Sequence, residues 1–285
     1  MKLLTWNIQW GRGVDGRVDL QRIERTVREH GDFDVLCFQE VADNYPELGG
    51  NDDGDQFAAL AALFPGYTAV AGVAVDVAGR NRRKRFGNLV LSRLIVHSAR
   101  RHALPWPDEA GVDSMPRVAI ETVVQAPFGP VRVTTTHLEY YSGRQRMAQA
   151  RRLRELHDEG CGRAIAPPNT ARKESNATFN VSPQAAPSIL TGDFNFPPEA
   201  PEYSEIQSPL ADGGPRYRDA WTLVHGLRAH DPTFCVHDHS WKDTPYCCDF
   251  IFVSEGLPVK AIEVDLRTQA SDHQPVMLEA GWETP

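Results

Sequence analysis

No run of about 18 apolar residues, the length a helix needs to cross a bilayer, occurs in the 285-residue sequence. The opening segment Lys2-Leu3-Leu4-Thr5-Trp6-Asn7-Ile8 also lacks the apolar stretch and small-residue cleavage site of a signal peptide. A cytoplasmic protein with no membrane anchor is therefore the expectation. Cysteine is sparse: Cys37, Cys161, Cys235, Cys247 and Cys248 form an odd set without a CxxC spacing. That pattern disfavours a disulfide framework and a structural zinc site, and suits buried reduced thiols. Positive charge is in deficit too, because 30 Lys and Arg face 38 Asp and Glu, a formal net charge of −8. Proteins that coat nucleic acid draw most of their affinity from phosphate neutralisation, so the deficit speaks against that class. It leaves room for a nuclease, which needs only a local positive cleft.

What is present is enough apolar residue, 41%, for a sizeable core. Strand-like and helix-like runs alternate irregularly. Met1–Ile8, Asp34–Gln39, Tyr67–Val75, Gly87–Ser92, Arg117–Val124 and Val131–His137 are predicted strands, as are Ser188–Thr191, Cys247–Val253, Val259–Leu266 and Pro275–Glu279. Helices are predicted over Asp19–His30, with Asp19 as cap, over Gln56–Phe64, and over Gln145–His157. Many strands follow one another with no helix between, so a purely parallel doubly wound sheet fits poorly. An α/β sandwich of two mixed sheets with helices outside fits better. Gly79–Phe86 is a strongly basic loop, and Gly160–Pro187, rich in Pro, Ala, Asn and Ser, is a loop insertion too long for an ordinary connection. No repeat and no domain boundary is visible, so a single domain over residues 1–285 is expected.

Polar groups collect at the predicted strand ends: Asn7 in TWN, Glu40 in QE, His137 closing VRVTTTH, Asp193 and Asn195 in GDFN, Asp249 in CCDFIFV, and Asp272 with His273 in SDH. Each alone has an ordinary explanation, as a turn, a cap or a solvated charge. Two positions apart on extended chain, Asp193 and Asn195 are expected to face the same way. Together the groups supply what phosphoryl chemistry requires. A hard cation takes one or two carboxylates, a nucleophile needs a base, and the phosphoryl oxygens need donors.

The ordered set TWN, QE, GN, THL, GDFN, DFIF and SDH resembles the endonuclease/exonuclease/phosphatase superfamily, over nearly the full chain from Asn7 to His273. That group includes deoxyribonuclease I-like nucleases, exonuclease III-like repair enzymes, sphingomyelinases and inositol-polyphosphate phosphatases. The resemblance implies a four-layer α/β sandwich, with the site at one edge of two central sheets. It implies a Mg²⁺ ion, with Mn²⁺ as the alternative, held by Glu40 with Asn7 and Asp272. It further implies that Asp249 pairs with His273 against the phosphate, and that Asp193 and Asn195 orient the attacking water or stabilise the transferring phosphate. His137 would donate to a phosphate oxygen or assist the leaving group. The base role is shared between His273 and Asp193. Asn88 and Arg117 are implied substrate contacts.

The substrate is a phosphate ester, in the leading reading a nucleic acid and in the alternative a small phosphorylated metabolite or lipid headgroup. No protein partner is implied. Arg80, Arg82, Arg83, Lys84 and Arg85, just before Asn88, point to a polyanion, whereas the net charge favours the small ester. Tyr140 and Tyr141 are placed to stack on a base or sugar. Phe250 directly after Asp249, where inositol-polyphosphate phosphatases carry Arg, argues against that branch. A catalytically dead module of the same fold is disfavoured because Glu40, Asp193, Asn195, Asp249, Asp272 and His273 are all present. A binuclear metallophosphatase lacks its histidine ligands here.

Overall fold

The computed structural model describes residues 1–166, 178 and 182–282. The strands are β1 (Lys2–Asn7), β2 (Val35–Asp43), β3 (Thr68–Val77), β4 (Lys84–Ser92), β5 (Val96–Ala103) and β6 (Val118–Ala126). They continue with β7 (Gly129–His137), β8 (Ser188–Asp193), β9 (Tyr217–Asp219), β10 (Asp249–Ser254), β11 (Val259–Val264) and β12 (Val276–Ala280). The helices are α1 (Leu20–Glu29), α2 (Gln56–Leu63), α3 (Gly143–Ile165), α4 (Pro201–Ile206) and α5 (Ala220–His225). Two mixed six-stranded sheets result, in the orders β11-β12-β1-β2-β4-β3 and β5-β6-β7-β8-β10-β9. This is the α/β sandwich expected.

Period-two alternation explains why the sheets stack. Leu3, Val35, Cys37, Val133, Ile189, Ile251 and Val253 fill the space between the sheets. Their neighbours Leu4, Leu36 and Phe38 turn outward to meet α1 and α2 through Ile23, Val27 and Leu60. On the second sheet Leu190, Phe250 and Phe252 turn outward to meet Ala150 and Leu153 of α3 and Ile206 of α4. Strands buried on both faces read as nearly continuous apolar runs, as these do. Asp19 caps α1, its side chain accepting from the Arg22 N–H as expected.

Two expectations change. The helix predicted to stop at His157 continues as α3 to Ile165. Arg152 and Arg163, both ion-paired to Glu159, tie its last turns together. Gly160–Ile165 are therefore helix and not the start of the 160–187 insertion. Residues 167–177 and 179–181 of that insertion lie outside the described residues. The basic segment is a tight connection between β3 and β4, and its last residues belong to β4.

Candidate phosphoesterase site

The alternation that fills the inter-sheet core also aims the polar groups. Asn7 shares the parity of Leu3, His137 that of Val133, Asp193 that of Ile189, and Asp249 that of Ile251. Each is the inward residue at the strand end, where the apolar core gives way to a cleft. Register brings them together: β7 runs parallel to β8 with His137 opposite Asp193, and β10 runs antiparallel with Asp249 opposite Asp193. β7 and β8 approach closely at Gly192, where φ is +139° and a Cβ would lie 1.9 Å from the Thr136 carbonyl oxygen. Only glycine fits there.

Glu40 arrives by a different device. Simple alternation from Cys37 and Gln39 would turn it outward, but the β2–β4 register shifts between Phe38 and Val41, and Glu40 has φ +60°. The bulge re-aims its side chain toward the cleft. Asn7 Nδ2 then donates to Glu40 Oε1 at 3.1 Å and to Asp193 Oδ2 at 3.0 Å.

Asp193 Oδ2 is the hub. His137 Nε2 lies 3.4 Å from it and His273 Nε2 3.7 Å from it. The other ring nitrogen of His273, Nδ1, lies 2.9 Å from Asp249 Oδ2. The ring is further fixed by Phe234, stacked on it at a centroid distance of 4.4 Å, and by the Trp6 Nε1 hydrogen bond to its carbonyl. Burial alone would lower the His273 pKa, but the negative charges of Asp249, Asp193 and Asp272 prevail and raise it well above the usual value. Asp249 at Nδ1 and Asp193 beside Nε2 thus favour the protonated ring. His137 goes the other way, down to about 3, because burial and then the Arg117 charge oppose its protonation.

Asn195 lines the cleft, yet not as extended chain would place it. Its φ is +54°, its N–H donates to Asp193 Oδ1 at 2.9 Å, and its side-chain amide donates to the Leu138 carbonyl. Asp193 closes an Asx turn that reverses the chain, so Asn195 braces the β7 and β8 ends against each other.

Glu40 and Asp272 both line the cleft and neither makes a salt bridge to Lys or Arg among the described residues. Burial first and the charge of Asp272 second push Glu40 up to about 7, and burial raises Asp272 as well. Gln9 Nε2 holds Asp272 Oδ2 at 2.7 Å. Two desolvated carboxylates without a Lys or Arg partner among the described residues suit a hard divalent cation, and Asn7 stands beside them with Nδ2 toward Glu40 and Oδ1 accepting from the Gln9 N–H.

Arg117, only 6% exposed, lies on the cleft wall with Nε 3.4 Å from Glu139 Oε2, while its Nη1 has no hydrogen-bond partner. Tyr141 lines the same cleft and is 58% exposed. Asn88 is placed elsewhere. It is 2% exposed, its amide donates to the Val118 carbonyl of the facing sheet, and it does not line the cleft. None of the basic run lines the cleft either. Arg82 and Arg85 pair with the fully buried Asp43, Arg83 with Asp76 and Lys84 with Glu47. Apart from Asp76, seven residues from Arg83, these partners lie about forty residues away in sequence, which composition alone does not reveal. Gln9, Glu139 and Phe234 are site residues that the sequence reading passed over. The first two had a signal, each lying two residues beyond a strand-end motif, and Phe234 had none.

Similarity to known proteins agrees with this fold. Residues 4–273 match the model of the Endonuclease/Exonuclease/phosphatase family. An endonuclease/exonuclease/phosphatase from Beutenbergia cavernae superposes with a TM-score of 0.67 at 23% identity, covering 99% of this chain and 71% of that one. A Bacteroides thetaiotaomicron mannosyl-6-phosphatase gives 0.65 at 20% identity, over 99% and 100% of the two chains. The human Nocturnin catalytic domain, solved with a sulfate anion, gives 0.65 at 19%, over 99% and 93%. No curated protein matches the chain significantly. With its sheet order, its strand-end carboxylates and a family match over almost all of its length, the chain belongs to the endonuclease/exonuclease/phosphatase family, whose members hydrolyse phosphoesters.

Proposed function

We propose that this protein is a Mg²⁺-dependent phosphoesterase whose reacting phosphoryl group sits above Asp193. The convergence of Asn7, His137 and His273 on a single carboxylate oxygen carries the reading. Glu40 and Asp272, with Asn7, would hold the cation. When bound, such an ion neutralises phosphoryl charge and lowers the pKa of a coordinated water. The remaining work falls to side chains. Asp193, held by Asn7 and the Asn195 N–H, accepts the proton of the attacking water. His273, kept as an imidazolium by Asp249, donates to the phosphoryl oxygens, and Arg117 offers them its unpaired Nη1. This assigns the base role, shared between His273 and Asp193 in the sequence reading, to Asp193.

For the substrate, the cleft favours a small ester over a long polyanion. Its volume is about 430 Å³, and among the described residues Arg117 is the only Lys or Arg that lines it. Aromatic residues line it instead: Tyr45 packs on Phe86, and Tyr140 on both Tyr141 and Trp241. Such walls accept a flat apolar group, for which stacking is typically worth about 1–3 kcal/mol per ring. A turnover panel with Mg²⁺ or Mn²⁺ decides the matter, using plasmid, single-stranded DNA, RNA, a bis-aryl phosphate, a hexose phosphate and inositol phosphates. Highest kcat/KM on the aryl ester supports the small-ester reading, and preference for plasmid or RNA returns the protein to the nuclease branch. Metal-independent turnover, or none on any arm, overturns the proposal.

A further inference from the structure

The aim of Asp249 decides whether it meets His273, and its own side-chain contacts do not settle that aim. Oδ2 lies 2.9 Å from His273 Nδ1 and accepts from Cys248 Sγ at 3.5 Å. Oδ1 is buried with no hydrogen-bond partner among the described residues. The carboxylate is therefore directed by the backbone that carries it.

That backbone lies at a strand end where ordinary pairing runs out. On one side β8 pairs with β10 as far as Asp193 opposite Asp249. On the other side β9 covers Phe252 to Ser254 and stops short of Asp249. Buried N–H groups need acceptors, and here both the Cys248 and the Asp249 N–H donate to Thr233 Oγ1, each at 3.1 Å. A hydroxyl oxygen has two acceptor lone pairs, so one side chain stands in for the missing strand. Thr233 is fully buried, and its branched Cβ makes the side chain stiff.

The main chain of the same segment holds the other partner. The Thr233 carbonyl accepts from the Gln274 N–H at 2.7 Å, and the Cys235 N–H donates to the Asp272 carbonyl at 3.2 Å. Between them Phe234 stacks on the His273 ring. Residues 233–235 thus grip the start of β10 and both flanks of His273, fixing carboxylate and ring in one frame.

We propose that Thr233 is a positioning residue for the Asp249–His273 pair, its hydroxyl setting the carboxylate at hydrogen-bond distance from the ring. Thr233 does not line the cleft, so it acts through Asp249 and not on substrate. Its loss is felt in kcat rather than in KM, because a misplaced acid–base group leaves binding intact. The kinetic part rests on the proposed function, and the geometric part stands without it.

The geometry is read in the resting full-length protein from the downfield proton NMR resonance of His273 Nδ1–H, assigned by its loss in His273→Gln. The parent and Thr233→Ser, which keeps the hydroxyl, should show it. Thr233→Val should move it upfield or broaden it. Thr233→Ala, which lets water reach the two N–H groups, should do the same and serves should the valine variant fail to fold. A parent without the resonance, or one unchanged in the Val and Ala variants, overturns the proposal. In turnover of an aryl phosphoester under Mg²⁺, Thr233→Val or Thr233→Ala should lower kcat by about 10- to 100-fold with KM within about threefold, and Thr233→Ser should stay within about threefold of the parent. Added to Asp249→Ala, the same change should cost less than about twofold more, because its effect runs through the missing carboxylate. A loss that multiplies in that background marks a merely structural residue and overturns the positioning role, as does a parent-like kcat. A parent that turns over no phosphoester defeats the proposed function and leaves the resonance to decide the geometry.

Discussion

Asp193 and Asp249 stand directly opposite each other in the antiparallel pair of β8 and β10, and His273 reaches both carboxylates, Nδ1 at 2.9 Å from one and Nε2 at 3.7 Å from the other. Register, with the loop that carries His273, thus sets one orienting carboxylate and one cleft-facing carboxylate about a single ring, the arrangement that the proposed acid–base relay needs.

That relay predicts a specific pattern of losses. His273→Ala should lower kcat by about 10²–10⁴, the usual worth of positioned acid–base assistance. Asp249→Asn should be milder, since the ring remains while its charge and orientation loosen. The double variant should cost clearly less than the product of the single losses, because members of one unit are not additive. Fully multiplicative losses in kcat would show that the two residues act independently.

Arg117 is expected to bind phosphate through Nη1, the nitrogen without a partner. Arg117→Lys keeps the charge against Glu139 but removes the planar fork. A charge-assisted hydrogen bond is worth about 1.5–3 kcal/mol, so kcat/KM should fall roughly 10- to 150-fold with the fold unchanged. Parent-like kcat/KM would mean that this guanidinium only supports Glu139.

The basic run is expected to matter for stability rather than for substrate. Changing Arg82 and Arg85 to Ser leaves Asp43 buried without its cations. A cost of about 1–3 kcal/mol is expected in urea unfolding, below that of a fully buried pair because both guanidiniums are partly exposed. The salt dependence of turnover should not change. A steep loss of salt dependence would restore the run as a substrate contact.

Much of this was legible from the sequence, and the exceptions share a cause. Nearly continuous apolar runs marked β1, β2, β8 and β10, and so the strand ends carrying Asn7, Asp193 and Asp249. The edge strand β5 was missed because VHSARRHA alternates with exposed charge and carries no apolar run. The bulge that turns Glu40 inward, the ion pairs that neutralise the basic run, and the inter-sheet hydrogen bond that removes Asn88 from the cleft are contacts between distant segments. Local periodicity holds no trace of such contacts.

Away from the cleft, His157 supplies a pH test of the packing under α3. Arg132 can only donate to its Nδ1 and the Pro215 carbonyl can only accept from its Nε2, so the ring is neutral. Burial, then the Arg132 charge, lowers its pKa to about 3. The unfolded chain therefore binds a proton below the ordinary histidine value of about 6.5 that the folded chain refuses. Stability from this group is complete above that value and is lost as pH falls, by about 2 kcal/mol at pH 5. Urea unfolding of His157→Gln at pH 8 and pH 5 should show a pH difference smaller by that amount, and an unchanged difference would place the titration elsewhere.

The most direct measurement is Mg²⁺-dependent turnover of an aryl phosphoester by the parent protein and by Glu40→Gln. The amide preserves the shape of Glu40 but removes the charge a hard cation requires. The parent should lose activity on chelation and regain it with Mg²⁺. Glu40→Gln should keep its circular dichroism and melting transition while falling at least about 100-fold at limiting Mg²⁺. Turnover that survives chelation, or a folded Glu40→Gln protein as active as the parent at limiting Mg²⁺, would contradict a cation held by Glu40.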